Sequence, residues 1–318
     1  MFMGFAIQRG ATCTVAAVNE LVVHRTTERL SAMVETSLWV LGCLLLGNWV
    51  GLTMLMPSGY SIGIATVAGG ALLGVGAAVN RACVFGAVAR FGLGEWAYLA
   101  TPVGFYLGCV AVQLFGPSLP AKSVVNGSII FSAPTWITAL LSLWLAWRAL
   151  LLFRPPRAKA ERFAKPMQVF AARVTSLVWT PRAATISIGL SFFVLLSAVG
   201  PWAYTDVLTE LAQMPSHNTV AGLVQRFGLL LALLAGAALG GWTAGSFRQQ
   251  KLTGARLLRC LIGGALMGVG GSLIPGGNDG LLLIGLPLLL PYALVALTTM
   301  CLSIAAWRIV ERMRSVAR

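Results

Sequence analysis

The chain has little charge and few of the side chains that metal and redox chemistry require. Only 10% of its 318 residues are charged, nine are acidic and two are histidine. The six cysteines stand singly, with no CxxC pair: Cys13, Cys43, Cys83, Cys109, Cys260 and Cys301. These scarcities argue against a disulfide framework, a metal site and a bound cofactor. The hydrophobic fraction of 58% and the mean hydropathy of +0.83 exclude a soluble globular domain, because too little polar surface remains to cover the apolar side chains.

Apolar runs near the length that crosses a bilayer recur along the whole chain. They predict an all-α, polytopic helical membrane protein with about nine spans, including broken or re-entrant helices. The opening residues show no basic leader before an apolar core and no cleavage site, so we expect no removed signal peptide. The predicted spans cover 2–23, 36–56, 61–80, 95–117, 129–153, 183–204, 219–245, 260–274 and 281–307.

The basic residues, which give a net charge of +14, lie between the apolar runs. They concentrate in a linker at 154–182, in a second stretch at 246–259 and in the tail. Under the positive-inside rule all three face the cytoplasm of a cell inner membrane. The C-terminus is then cytoplasmic, while the loop 118–128 and the N-terminus lie outside. Because membrane orientation accounts for the positive charge, we expect no nucleic-acid partner, and a lipid bilayer instead.

The basic linker also divides the chain into halves of similar size. We predict an N-terminal membrane half at 1–153, the cytoplasmic linker at 154–182 and a C-terminal membrane half at 183–318. The linker has the polar, proline-containing composition of a solvated segment, and no lipid-recognition role is needed to explain it.

Two glycine-rich segments repeat one another. The sequence "GGALLGVGA" from Gly69 and "GGALMGVGG" from Gly263 agree at seven of nine positions, at an offset of 194 residues. The span count gives the two segments opposite directions across the membrane, which is typical of transporters built from inverted repeats. Each segment then breaks, at Asn80–Cys83 and at Pro275–Gly280. Broken backbone at membrane depth is tolerated where it is buried in protein or lines a cavity, so the breaks are the candidate site.

A simpler interpretation treats the two segments as ordinary packing helices. Gly70 with Gly74, and Gly264 with Gly268, give small faces four residues apart that allow close helix contact. This interpretation needs no inverted repeat, and it assigns no function to the breaks.

The residues at the breaks resemble those of the YeeE/YedE sulfur-transport family. The likeness covers nearly the whole chain and rests on "GFAIQRGATC" at 4–13, "GGALLGVGAAVNRACVFG" at 69–86 and "GGALMGVGGSLIPGGNDG" at 263–280. It implies an all-helical fold of two inverted halves that imports a small inorganic sulfur anion, most often thiosulfate. The anion would pass a narrow waist by hydrogen bonding to cysteine thiols, and a cytoplasmic sulfur-carrier protein would be a partner.

The same resemblance implies the residues of the substrate pathway. Cys13 matches the thiol of the amino-terminal motif, and Cys83 matches the thiol of the first glycine loop. Gly277 occupies the place equivalent to Cys83 in the second loop, where the family commonly has a third cysteine. Asn278 follows it, so a polar exit step built from this amide is an alternative to a third thiol. We interpret Asp279 as a cap for the segment that follows.

The chemistry of an anion path explains these residue types. Stripping water from a dianion is very costly unless other donors replace the water. Neutral thiols are weak donors, and weak binding permits release. Arg9 and Arg81 are the basic residues next to the two thiols, and Asn80 is the polar residue at the first break, so we include all three in the pathway. Arg81 has a second interpretation as an interfacial residue that ends a span.

Two other functional classes compete with transport. The first is a membrane docking subunit that recruits a cytoplasmic sulfur carrier through the basic linker. The second is a membrane enzyme, which the lack of a His/Asp/Ser constellation or metal spacing disfavours. No nucleotide-binding motif is present either, so the sequence does not predict ATP-driven transport. The four remaining cysteines fit the role of small hydrophobic residues.

The basic clusters generate a topology prediction. An impermeant maleimide applied from outside should label a cysteine introduced at 118–128 and should fail to label one at 154–182, because the positive linker stays in the cytoplasm. Labelling after the membrane is permeabilised controls for reactivity. External labelling of the linker would overturn the orientation.

Overall fold

The computed structural model describes residues 1–51, 59–115, 123–124, 135–153, 179–213 and 220–316, which are almost entirely helical. The helices are α1 Phe2–Gly10, α2 Thr14–Asn19, α3 Glu28–Trp49, α4 Ile64–Asn80, α5 Val84–Gly92, α6 Ala100–Phe115, α7 Thr135–Phe153, α8 Pro181–Val199, α9 Tyr204–Ala212, α10 Val220–Thr243, α11 Gly254–Leu273, α12 Asn278–Gly280 and α13 Pro291–Val316. Short turns extend three of them: the π-helical Glu20–His24 after α2, the 3-10 Trp96–Leu99 before α6 and the π-helical Leu281–Gly285 after α12. Two-residue strands, β1 Gly59–Tyr60 and β2 Ser123–Val124, pair antiparallel.

Long apolar stretches confirm the predicted all-α polytopic membrane protein. Within the described residues, seven helical segments are long and apolar enough to cross a membrane: Glu28–Trp49, Ile64–Gly92, Trp96–Phe115, Pro181–Val199, Val224–Thr243, Gly254–Leu273 and Pro291–Ser315. Large apolar side chains are exposed on their outer faces, such as Val194 on α8 and Leu302 on α13, at 65% and 63%. Such faces are stable against lipid and would be unstable against water.

Two of the predicted spans are not continuous helices. The span 2–23 breaks after α1, where Ala11 takes a left-handed φ of 45° and the chain becomes extended at Cys13. The predicted start of span 281–307 was wrong, because the long helix α13 begins only at Pro291. A left-handed Leu289, with φ of 48°, separates it from the residues before. Hydropathy averaged over a whole span does not detect either break, because apolar runs lie on both sides of it.

Two other predicted boundaries differ from those of the structure. The second basic stretch, 246–259, is not wholly a loop, since Arg256 and Arg259 already lie on α11. The predicted span 129–153 is described from Thr135 onward, as α7. The loop 118–128, apart from β2, and the linker at 154–178 lie outside the described residues.

A glycine seam joins the two repeated segments at the centre of the molecule. A β-carbon on Gly76 would lie 2.7 Å from the carbonyl oxygen of Gly263, and one on Gly263 would lie 2.8 Å from the carbonyl oxygen of Gly76. The same exchange links Gly69 with Gly270, at 2.8 and 2.6 Å. Helices α4 and α11 therefore run antiparallel with their backbones in contact, which only glycine allows at these positions.

The contacts of the seam are reciprocal, as a two-fold axis requires. When two residues are in contact, their equivalents in the other segment are in contact as well. In the sequence repeat, Gly69 corresponds to Gly263 and Gly76 corresponds to Gly270. In the structure, Gly69 contacts Gly270 and Gly76 contacts Gly263. The neighbouring helices obey the same rule. A β-carbon on Gly70 of α4 would lie 2.6 Å from the carbonyl oxygen of Ala296 on α13, and the counterpart contact joins α11 to α6.

This relation extends along the chain. Helix α1 packs on α10 where α8 packs on α3, and α2 packs on α13 where α9 packs on α6. Helices α1 to α6 therefore correspond, in the same order, to helices α8 to α13. The inverted arrangement places the two chain breaks, one from each set, beside each other.

A partly buried ion pair ties α7, which has no counterpart in this scheme, to the rest of the molecule. The Arg148 guanidinium donates to both carboxylate oxygens of Glu35 on α3, at 2.8 and 2.6 Å. A bidentate pair of this kind fixes orientation as well as distance. It explains why an arginine lies within an otherwise apolar helix.

The seam generates a stability prediction. Gly76→Ala should lower the free energy of unfolding by about 1–3 kcal/mol, because the added methyl group must push apart two helix backbones. Thermal unfolding of the protein in detergent measures the change. Gly228→Ala on α10 is the matched control, since nothing lies within 4 Å of its β-carbon position. Equal melting temperatures for the two variants would show that the seam tolerates a methyl group.

Candidate functional site

The break after α1 and the break after α4 bring two cysteines together. Cys13 directly precedes α2 and Cys83 directly precedes α5, both with extended backbone. The backbone N–H of Thr14 donates to the Cys83 sulfur at 3.2 Å, and the two thiols lie close enough to interact. Cys83 is fully buried, Cys13 is partly exposed, and both are reduced. Cys13 and Cys83, which are 70 positions apart in sequence, therefore lie side by side in the structure.

A glycine on α5 makes room for the Cys13 thiol. A β-carbon on Gly86 would lie 2.4 Å from the Cys13 sulfur, so any larger residue would displace the thiol. Sequence reasoning did not single out Gly86. Its only signal is its position as the third residue of a helix that directly follows Cys83.

Asn80 holds the first break in shape. Its side chain is fully buried, the Nδ2 group donates to the Ala82 carbonyl at 2.9 Å, and Oδ1 accepts from the Thr101 hydroxyl at 3.2 Å. The Tyr98 hydroxyl donates to the Asn80 carbonyl at 3.3 Å. These bonds satisfy the polar groups that the end of α4 leaves unpaired. Asn80 thus positions the loop that carries Cys83.

The second break reaches the thiols through an amide. Gly277 precedes α12, and the next residue, Asn278, is 1% exposed. Its Nδ2 group donates to the Thr14 hydroxyl at 3.5 Å, while Oδ1 has no hydrogen-bond partner within the described part of the chain. Thr14 therefore contacts both breaks: its backbone contacts Cys83 and its side chain contacts Asn278.

Asp279 stabilises a different helix from the one we expected. Its carboxylate accepts hydrogen bonds from the hydroxyl of Thr205 and, at 3.2 Å, from the backbone N–H of Thr205. Thr205 lies in the first turn of α9, whose amide groups need acceptors. Asp279 therefore caps α9, and its carboxylate also interacts with the backbone N–H groups of Gly280 and of Asp279 itself, at the start of its own segment. Nothing local to Asp279 or Thr205 in the sequence indicated this pairing.

The two predicted arginines have different surroundings. Arg9 is buried on α1, donates to the Thr243 hydroxyl at 2.9 Å and lies 4.9 Å from the ring centroid of Phe5. Arg81 is exposed and ends α4 with a left-handed φ of 59°. The structure thus links Cys13, Cys83 and Asn278 through Thr14, whereas Arg9 contacts α10. No group of three His, Cys, Asp or Glu side chains suited to a metal ion occurs among the described residues.

The fold and the breaks together define a class of protein. Two sets of membrane helices related by inversion, with broken helices meeting between them, are the architecture of membrane transport proteins. The sequence model of the sulphur transport family matches residues 9–306, and the chain belongs to that family. The chain is also similar to the thiosulfate transporter TsuA of Escherichia coli strain K12. The two are 23% identical in an alignment that covers 99% of this chain and 94% of TsuA.

The hydrogen bonds of Asn80 generate a stability prediction. Asn80→Ala should lower the free energy of unfolding by about 2–4 kcal/mol, because it leaves a buried carbonyl and a buried hydroxyl unpaired. Thermal unfolding in detergent is the measurement. Asn48→Ala, at an exposed position on α3, is the matched control and should have little effect. Wild-type stability for Asn80→Ala would show that these bonds do not hold the break.

Proposed function

We propose that this chain imports a small sulfur-containing anion, with thiosulfate as the substrate, and passes it between the thiols of Cys13 and Cys83. The observation that carries the proposal is the meeting of two reduced thiols at two chain breaks in the interior of a membrane protein. Membership of the sulphur transport family and similarity to a thiosulfate transporter support the choice of substrate.

The donors at the thiol pair suit a soft anion. Thiosulfate carries a terminal sulfur that accepts S–H hydrogen bonds, and a path must replace its water with other donors. The thiols supply weak donors, and the backbone N–H of Thr14, which donates to the Cys83 sulfur at 3.2 Å, holds that sulfur in place. Sites that each bind weakly allow the anion to leave as readily as it enters.

The Asn278 amide provides the next donor in line. In the structure its Nδ2 group is engaged by the Thr14 hydroxyl, and Oδ1 is unpaired among the described residues. A half turn of the amide exchanges these atoms, so that oxygen accepts the hydroxyl and the NH₂ group faces the path. An anion at the thiols would favour that turn, because the amide then donates two hydrogens toward it. Asn278 thereby continues the path where a third thiol is absent.

The other predicted pathway residues act around this centre. Arg81, exposed at the end of α4, attracts the anion by its charge. Asn80 keeps the Cys83 loop in shape through its hydrogen bonds to Ala82 and Thr101. Arg9 holds the broken amino-terminal segment to α10 through Thr243, so that Cys13 stays beside Gly86.

The cellular setting follows from the charge pattern and belongs to the same proposal. The protein lies in the cell inner membrane with a cytoplasmic C-terminus, and a cytoplasmic sulfur carrier receives the anion. If docking of that carrier were the whole function, purified protein would bind the carrier, and vesicles containing only this chain would take up no thiosulfate.

The thiol mechanism predicts a specific pattern among variants. Cys83→Ala should reduce the initial uptake of labelled thiosulfate at least about tenfold while the protein remains folded, because a methyl group fills similar space but offers no donor. Cys83→Ser should recover little uptake, since a hydroxyl pairs less well with sulfur. Uptake is measured at equal membrane expression, with sulfate as a weak competitor.

Cys43→Ala is the matched control. Cys43 is a partly buried thiol on α3, away from the breaks, and its removal should leave uptake unchanged. Normal uptake by Cys83→Ala would contradict the proposal and leave Cys83 as a packing residue at a helix break.

A further inference from the structure

The second half of the molecule holds a position equivalent to Cys83 that has no thiol. Gly277 is related to Cys83 by the same offset of 194 residues as the glycine segments. Both residues directly precede a helix, and their backbones agree closely, with φ, ψ of −75°, −176° at Cys83 and −83°, 179° at Gly277. The first loop therefore has a sulfur at a point where the second loop has only a hydrogen atom.

Thr205 fills the space that a side chain at Gly277 would need. A β-carbon on Gly277 would lie 2.5 Å from the Thr205 Oγ1 atom, 2.6 Å from Cγ2 and 2.7 Å from Cβ. Thr205 is itself fully buried, at 0% exposure. A hydroxyl, supplied from α9, thus stands where the repeat has a thiol.

The contacts near the two positions are similar in type. In the first half, the sulfur of Cys83 accepts the backbone N–H of Thr14, at the start of α2. In the second half, the carboxylate of Asp279 accepts the backbone N–H of Thr205, in the first turn of α9, the counterpart of α2. The carboxylate also accepts the Thr205 hydroxyl. The hydroxyl and the carboxylate form one unit, 0% and 1% exposed.

We propose that the Thr205 hydroxyl is the anion's hydrogen-bond donor in the second half, and that a proton on Asp279 determines whether this hydroxyl is available. The inference rests on the proposed function and extends it to proton-linked transport. It assigns a role to two residues that the thiol path leaves unused.

The proton has a defined place at each step. While Asp279 is ionised, its oxygen takes the Thr205 O–H, so Oγ1 presents only lone pairs and both groups repel an anion. When Asp279 takes a proton from the aqueous phase, its new O–H donates to Oγ1, and the Thr205 O–H turns to donate to the anion. Loss of that proton to the aqueous phase on the cytoplasmic side returns the hydroxyl to the carboxylate and releases the anion there. One proton thus accompanies each dianion.

Burial favours protonation within the carboxylate pair that Asp279 forms with Asp206. Asp206, next to Thr205 on α9, has its carboxylate oxygens 3.8 and 4.0 Å from the β-carbon position of Gly280 and interacts with Asp279. Two buried carboxylates so placed are more stable when one carries a proton. Arg226 on α10 is paired with Glu210 on α9 and also interacts with Asp206, so its positive charge is shared between two carboxylates. Among the described residues, the tyrosine hydroxyl of Tyr204 also interacts with Asp279, and those of Tyr60 and Tyr292 interact with Asp206.

The test uses the full chain in proteoliposomes, with the same pH on both sides and labelled thiosulfate as the probe. Wild-type uptake should fall as the buffer is changed from mildly acidic to mildly alkaline. Asp279→Asn should remove that dependence, because the amide donates to Thr205 at any pH.

Thr205→Val should reduce uptake about tenfold, because it removes the hydroxyl donor, and Thr205→Ser should preserve uptake. Thr209→Val, one turn along α9, is the matched control. Thermal unfolding in detergent verifies the fold of each variant.

A residue exchange separates a donor role from a structural one. Gly277→Cys alone should fail, because its β-carbon would clash with Thr205. The double variant Thr205→Gly/Gly277→Cys removes the clash and restores a thiol, so its uptake should recover and should no longer depend on pH. An unchanged pH profile in Asp279→Asn, or normal uptake by Thr205→Val, would overturn this inference alone. Absence of uptake by the wild type would overturn the proposed function together with it.

Discussion

The antiparallel contact between α4 and α11 is the constraint on which the rest of the structure depends. Backbone meets backbone at Gly69, Gly76, Gly263 and Gly270, and no larger residue fits between them. Association of helices within a membrane gains little from the hydrophobic effect, so close packing of this kind has to supply the stability. The contact also fixes the relative direction of the two helix sets, and it thereby places the breaks that follow α4 and α11 next to each other.

The two breaks then show how one backbone arrangement supports two kinds of chemistry. Cys83 and Gly277 have nearly the same backbone conformation, yet one loop presents sulfur and the other relies on side chains from its neighbours. In the first half the acceptor at the start of the short helix is a thiol sulfur, and in the second it is the carboxylate of Asp279. A thiol and a carboxyl group thus occupy related places along the proposed path.

Much of this architecture could be predicted from the sequence. Hydropathy indicates an all-α membrane protein, and the agreement between the segments at Gly69 and Gly263 indicates both the inverted arrangement and the breaks that follow. The break at Ala11 could not be predicted, because a left-handed alanine has no local signature. Thr205 could not be identified either, since its role depends on a contact with Gly277, a residue far away in sequence, and on the absence of a side chain there.

The central claim is that the anion passes the thiol pair, and protection from alkylation tests it most directly. Cys13 and Cys43 are both reduced and partly buried, but only Cys13 belongs to the pair. The purified protein is treated with N-ethylmaleimide, and peptide mass spectrometry gives the ratio of Cys13 to Cys43 alkylation, which cancels any consumption of the reagent. The account predicts that thiosulfate lowers this ratio and that sulfate at equal ionic strength does not. The same ratio with both anions would contradict it.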